Sequence, residues 1–185
     1  MCSSDLTSMD LQLTGKRAIV SGGSRGIGKA VARELAREGC DVVLLARGEA
    51  QLRATAAELA AETGRKFTPI VCDASQDESV QAAIREAIAA LGGGVDILVN
   101  CAATPGGTTP PPMLADINDD NFWPDMNVKV LGYLRTAREV APSMIAQGWG
   151  RIINIGGLAA RNAGSALTGM RNAPIAALDR KSTRL

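Results

Sequence analysis

The chain has 185 residues, of which 46% are hydrophobic and 21% charged, with 20 Lys plus Arg against 19 Asp plus Glu and a net charge of +1. That length fits one domain with a single sizeable core, and the charge balance gives no reason to expect nucleic acid or an anionic membrane as partner. The chain contains no histidine, which excludes a Ser-His-Asp hydrolase, a Cys-His protease and a His-ligated metal site; no metal is expected. Aromatic residues make up only 3%, so Ala, Val, Ile and Leu must fill the core. Cys2, Cys40, Cys72 and Cys101 form no CxxC pair. Cys40, Cys72 and Cys101 read as reduced packing residues, and reduced thiols point to the cytoplasm. Residues 1–10 read as a loose polar leader, and no apolar run is long enough for a signal peptide or membrane span.

Arg17–Ser21 is a short apolar run ending in a glycine turn, so the first buried strand. Helical periodicity follows over Ile27–Glu38, with Ile27, Val31 and Leu35 on one face, and Gly39 ends it. Asp41–Ala46 is a second strand, Glu49–Thr63 an Ala-rich helix stopped by Gly64, and Phe67–Cys72 a third strand. A helix capped by Asp77 runs to about Leu91, and Val95–Asn100 is the fourth strand. After a Pro- and Gly-rich loop, Thr104–Pro112, a helical pattern runs from about Asn118 to Gln147, with an irregularity expected near Trp123-Pro124. Arg151–Ile155 is the fifth strand, and a last helix begins near Ser165. Alternating strands and helices predict an α/β fold: a doubly wound, parallel Rossmann-type sheet with right-handed crossovers.

The first strand leads directly into Ser21-Gly22-Gly23-Ser24-Arg25-Gly26-Ile27-Gly28. Gly22 allows a tight exit from the strand, Gly26 lets backbone approach a pyrophosphate without a Cβ in the way, and Gly28 allows close helix–strand packing. The helix that starts here aims its unpaired N–H groups and positive dipole end at the phosphates. No Gly-Lys-Ser/Thr follows, which excludes a nucleoside-triphosphate P-loop.

This GxxxGxG spacing resembles the TGxxxGIG motif of the short-chain dehydrogenase/reductase family, with Ser21 in place of the Thr. The resemblance continues through Cys72-Asp73-Ala74-Ser75, Asn100-Cys101-Ala102-Ala103, Asn127 and Gly150–Ile155. It covers Leu11 to about Ala177 and is nearest the 3-oxoacyl-carrier-protein-reductase-like branch. The resemblance implies hydride transfer between NADP(H) and a small carbonyl or alcohol substrate, with homo-oligomers for the full-length family member. It implies cofactor contacts at Gly22, Ser24, Arg25, Gly26, Ile27, Gly28, Arg47, Asp73, Ala74, Asn100 and Ala102, and a structural and catalytic role for Asn127. An NAD enzyme of this type needs an acid at the end of the second strand. Here Ala46 holds that position and Arg47 follows, a guanidinium suited to the 2′-phosphate of NADP(H), with Arg25 as a second cation; NAD(H) is the weaker expectation.

The family's catalytic Ser, Tyr and Lys align here with Gly157, Met170 and Pro174. The only tyrosine, Tyr133, has Ala137 rather than Lys four residues on and reads as a packing residue. A catalytically degenerate dinucleotide-binding protein is therefore the alternative reading. Residues 11–178 are expected to form a Rossmann domain incomplete at its C-terminal end, broken off after about the fifth strand and the start of the next helix. Residues 179–185 read as an irregular charged tail resembling adapter read-through.

Overall fold

A computed structural model describes residues 10–103 and 114–157. The expected Pro-Gly loop, last helix and tail, and nearly all of the leader, lie outside these residues. Among the described residues there are five strands: β1 (Arg17–Ser21), β2 (Asp41–Ala46), β3 (Phe67–Val71), β4 (Ile97–Asn100) and β5 (Arg151–Asn154). They form one sheet in the order β3-β2-β1-β4-β5 with every pairing parallel. The chain winds outward from β1 to β3, then crosses back to set β4 against the other side of β1. That reversal is the doubly wound arrangement the alternation predicts.

The strands read as continuous apolar runs because both faces of the sheet are covered. Alternate residues of each strand enter opposite cores. Ala18, Val20, Val42, Leu44, Ile97 and Val99 pack with Ala32, Ala36, Leu52 and Leu59, contributed by α1 (Gly26–Arg37) and α2 (Glu49–Thr63). Ile19, Val43, Leu45 and Leu98 pack with Val80, Ile84, Val140 and Met144, contributed by α3 (Asp77–Ala90) and α5 (Gly132–Ala146). No helix among the described residues is long and apolar enough to cross a membrane.

Element ends move by a residue or two from the expected ones. α1 starts and stops one residue early, β3 and β5 each end one residue short, and β4 begins at Ile97 rather than Val95. Single backbone bonds continue the ladders beyond these ends, from Cys72 N to Ala46 O and from Ile155 N to Asn100 O. The long helix shows a larger difference. Pro124 sits inside α4 (Asp119–Met126), which stays helical, and the irregularity falls later as a π-helical turn over Asn127–Leu131. Such turns recur at functional sites, and this one faces the cleft described below.

The amino end of the sheet is tied by Asp96, only 7% exposed. Its Oδ2 accepts from Arg17 Nε (2.9 Å) and from Arg17 backbone N (2.8 Å). Gln147 Nε2 donates to Asp96 Oδ1 and to the Val95 carbonyl, fastening the end of α5 to the same point. Burial works against ionisation of Asp96, but the hydrogen bonds and charge of Arg17 outweigh it and hold the carboxyl below its usual value.

Candidate functional site

A cleft of about 850 Å³ opens at the carboxyl ends of the strands, between the β1–α1 turn, the end of β2, the loop after β3 and the loop after β4. This is the place where the strand order reverses, and there open α/β sheets bind ligands.

The β1–α1 turn forms its floor. Gly22 has φ +69°, and a Cβ there would sit 2.9 Å from the backbone of Cys101 and Ala102. Glycine is therefore required for the turn to touch the end of β4. Gly22 and Gly23 donate their N–H groups to the Leu45 carbonyl, and Thr55 of α2 donates to the Ser24 carbonyl at 2.8 Å. A Cβ at Gly28 would strike the carbonyl oxygen of Gly22. The close packing that Gly28 permits is thus helix against turn, where helix against strand was expected. Gly26 differs from both: its φ is +56° and nothing lies within 4 Å of its Cβ position. α1 begins here with Arg25 extended at its N-cap and no side-chain cap, so the first-turn N–H groups have no side-chain partner from the cap. Open space, uncapped donors and a positive helix end fit a phosphate group. Ser24, Arg25 and Ile27 also line the cleft, the last with 62% exposure.

Arg47 is exposed at the end of β2 and lines the same cleft with Ala46, Gly48 and Gln51. Across from it stand Asp73 and Ala74. Asp73 Oδ1 accepts from Ser75 N (2.9 Å) and Ser75 Oγ (2.7 Å). Burial opposes ionisation of Asp73, but the Ser75 bonds and the charges of Arg47 and Arg135 outweigh it and keep the carboxyl below its usual value.

Ala102 and Cys101 line the cleft beyond β4, with Ala103, Val128 and Thr136. Asn100 lies behind this wall with 0% exposure. Its Oδ1 accepts from Ser21 Oγ (3.2 Å) and Thr136 Oγ1 (2.8 Å), and its Nδ2 donates to Asn154 Oδ1 (3.0 Å). The Ser21 hydroxyl in turn accepts from the Cys101 and Ala102 amides. The side chain of Asn100 thus holds the wall rather than lining it. Burial raises the Cys101 thiol to about 11, which removes it as a nucleophile near neutral pH.

Asn127, expected in a structural and catalytic role on the long helix, has its side chain on the loop after β3. Its Nδ2 donates to the Ser75 carbonyl (3.1 Å) and its Oδ1 accepts from Arg135 (2.8 Å). Tyr133 is 2% exposed, packs with Val130, Met126 and Ala102 and donates to the Ile155 carbonyl at 3.1 Å. Gly157 is exposed beyond β5, while Met170 and Pro174 lie outside the described residues. The sequence reading missed Gln51, Val128, Thr136 and Arg135. The three cleft-lining ones sit on helices or the π-helical turn, and no local motif marks them.

The fold has counterparts among solved structures. NAD+-bound xylitol dehydrogenase superposes with a TM-score of 0.84 at 28% identity, over 92% of this chain and 65% of that one. L-sorbose reductase from Gluconobacter frateurii, complexed with NADPH and L-sorbose, gives 0.84 at 30% identity over 94% and 65%. In sequence, the short-chain reductase protein NovJ of Streptomyces niveus is 38% identical over 148 residues, 80% of this chain and 54% of the relative. The 3-oxoacyl-acyl-carrier-protein reductase FabG of Pseudomonas aeruginosa is 38% identical over 150 residues, 79% and 57%. The chain spans about half the length of the curated relatives it matches. With the short chain dehydrogenase family matching residues 16–169, most of the chain is accounted for, and it belongs to that family.

Proposed function

We propose that this chain holds NADP(H) in the cleft and serves hydride transfer between the nicotinamide and a carbonyl or alcohol carbon of a small substrate. The observation that carries the reading is Gly26, left-handed and facing open space beside the uncapped start of α1. The first-turn N–H groups of α1 would hold the pyrophosphate. Arg47 and Arg25 would hold the 2′-phosphate, with Ala46 leaving no carboxylate at the strand end to repel it. Asp73 and Ala74 would face the adenine. Ala102, Val128 and Thr136 would stand toward the nicotinamide, which supplies the hydride when bound. The free thiols of Cys40, Cys72 and Cys101 support a cytoplasmic protein.

A second reading, a dinucleotide-binding protein without turnover, rests on Gly157, which offers no hydroxyl at the end of β5. Calorimetric titration with NADPH and NADH tests the binding reading, with NADPH expected to bind more tightly; no binding of either would overturn it. NADPH oxidation over a panel of ketones and aldehydes separates the two readings. Turnover supports the oxidoreductase, and binding without turnover supports the second reading.

A further inference from the structure

Two side chains join the loop after β3 to the π-helical turn without lining the cleft themselves. Arg135 Nη1 lies 3.1 Å from the Ala74 carbonyl, 3.2 Å from the Asn127 carbonyl and 2.8 Å from Asn127 Oδ1. Asn127 Nδ2 then donates to the next carbonyl of the loop, that of Ser75, at 3.1 Å. Successive carbonyls of one short loop are thus gripped by a linked pair of donors from the long helix. The grip is close, because a Cβ at Gly132 would already stand 3.1 Å from Ala74. Arg135 Nε also lies 3.7 Å from Asp77 Oδ1, at the start of α3.

The gripped loop carries Asp73. One of its carboxylate oxygens, Oδ1, is taken by Ser75. The other, Oδ2, accepts no hydrogen bond among the described residues, and Asp73 lines the cleft. Asp73 is oriented by Ser75 and by its own N–H, which donates to Ser79 Oγ at 3.0 Å, and Ser75 belongs to the backbone that Asn127 and Arg135 hold.

We infer that Arg135 and Asn127 are positioning residues for recognition of the cofactor's base: by fixing the Ala74–Ser75 backbone they aim Asp73 Oδ2 at the amino group of an adenine. This rests on the dinucleotide reading above. It also gives the π-helical turn a task at the adenine end of the cleft. Arg is suited to that task where Lys is not, because a planar guanidinium sets Nη1 on the loop and Nε toward Asp77 in one fixed plane, whereas an ammonium offers a single nitrogen on a flexible stem.

The test compares NADPH with its hypoxanthine analogue, in which an oxygen replaces the adenine amino group and would face Oδ2 as a second acceptor. Fluorescence titration of the native chain should show the analogue binding roughly ten- to a hundredfold more weakly, the range for one hydrogen bond to a charged group. In Arg135→Gln the two ligands should approach parity, and Arg135→Lys, which keeps the charge, should not restore the difference. A purely structural role would lower the melting temperature and leave the ratio alone. Should Arg135→Gln not fold, Asn127→Asp serves instead. It keeps an acceptor for Arg135 but turns a carboxylate oxygen toward the Ser75 carbonyl, and the ratio should fall likewise. An unchanged ratio in whichever variant folds, full rescue by Lys, or a native chain that binds both ligands equally overturns the inference. A native chain that binds neither ligand overturns the dinucleotide reading itself.

Discussion

Substituting alanine at two glycines of the β1–α1 turn separates the cradle from the fold that carries it. At Gly26 the backbone is left-handed, φ +56°, and no atom lies within 4 Å of the added Cβ. The cost to the fold is then conformational, about 1–2 kcal/mol for an L-residue in that region. At roughly 2–4 °C per kcal/mol for a domain of this size, Gly26→Ala should melt about 2–8 °C lower and remain folded. Its methyl group, however, enters the space assigned to the pyrophosphate, and NADPH affinity should fall by at least about tenfold, a loss of ~1.4 kcal/mol. At Gly28 the added Cβ meets the Gly22 carbonyl oxygen, with Gly22 C at 2.8 Å and Gly23 Cα at 3.2 Å. These are backbone atoms that cannot rotate aside, so Gly28→Ala should lose both binding and a further ~1–3 kcal/mol of stability. Isothermal titration with NADPH beside a melting scan reads both quantities. If Gly26→Ala melts as expected but binds NADPH like the parent, the phosphates do not lie over the start of α1 and the reasoning fails.

Arg47→Asp should reverse the preference between NADPH and NADH, because a charge-assisted phosphate contact is worth about 1.5–3 kcal/mol, one to two decades in affinity; equal affinities in the parent chain would sink the idea. Asp96 gives a pH dependence with a definite sign. Its folded-state carboxyl is held below the usual value, so its contribution is present above the unfolded pKa of about 3.9 and is lost as pH falls through the lower folded value. Asp96→Asn should therefore lose about 1–3 kcal/mol at pH 7 and show a shallower acid slope; parallel urea midpoints for the two proteins from pH 7 to 3 would contradict this. Burial raises Cys101 to about 11, so iodoacetamide at pH 7.5 should label it slowly by intact mass. Rapid labelling at that residue would show a thiolate the burial does not permit.

Much of this architecture is written locally. β1, β2 and β4 are legible because a strand buried on both faces has no polar residue to interrupt it, and Ala18 and Ile19 can feed opposite cores without leaving an apolar run. The glycine turn is legible for a similar reason, since each glycine answers a need set by its immediate neighbours. The contacts that complete the site are not local. Asn127 meets Ser75 across 52 residues, and Asn100 meets Thr136 across 36. Nothing in the helical period distinguishes Thr136 or Arg135 from their neighbours. Pro124 predicts an irregularity because proline removes a donor, yet the helix tolerates it and widens three residues later. Asn100 is named by its motif, but the task of its side chain, fully buried behind the cleft wall, is visible only in the fold.

The most direct test of the central claim is a crystal structure of this chain grown with NADPH. The pyrophosphate is expected over Gly26 and the first turn of α1, with the 2′-phosphate within hydrogen-bonding distance of Arg47 and the adenine beside Asp73. A dinucleotide bound away from the β1–α1 turn, or one whose 2′-phosphate points away from both Arg47 and Arg25, would contradict the account.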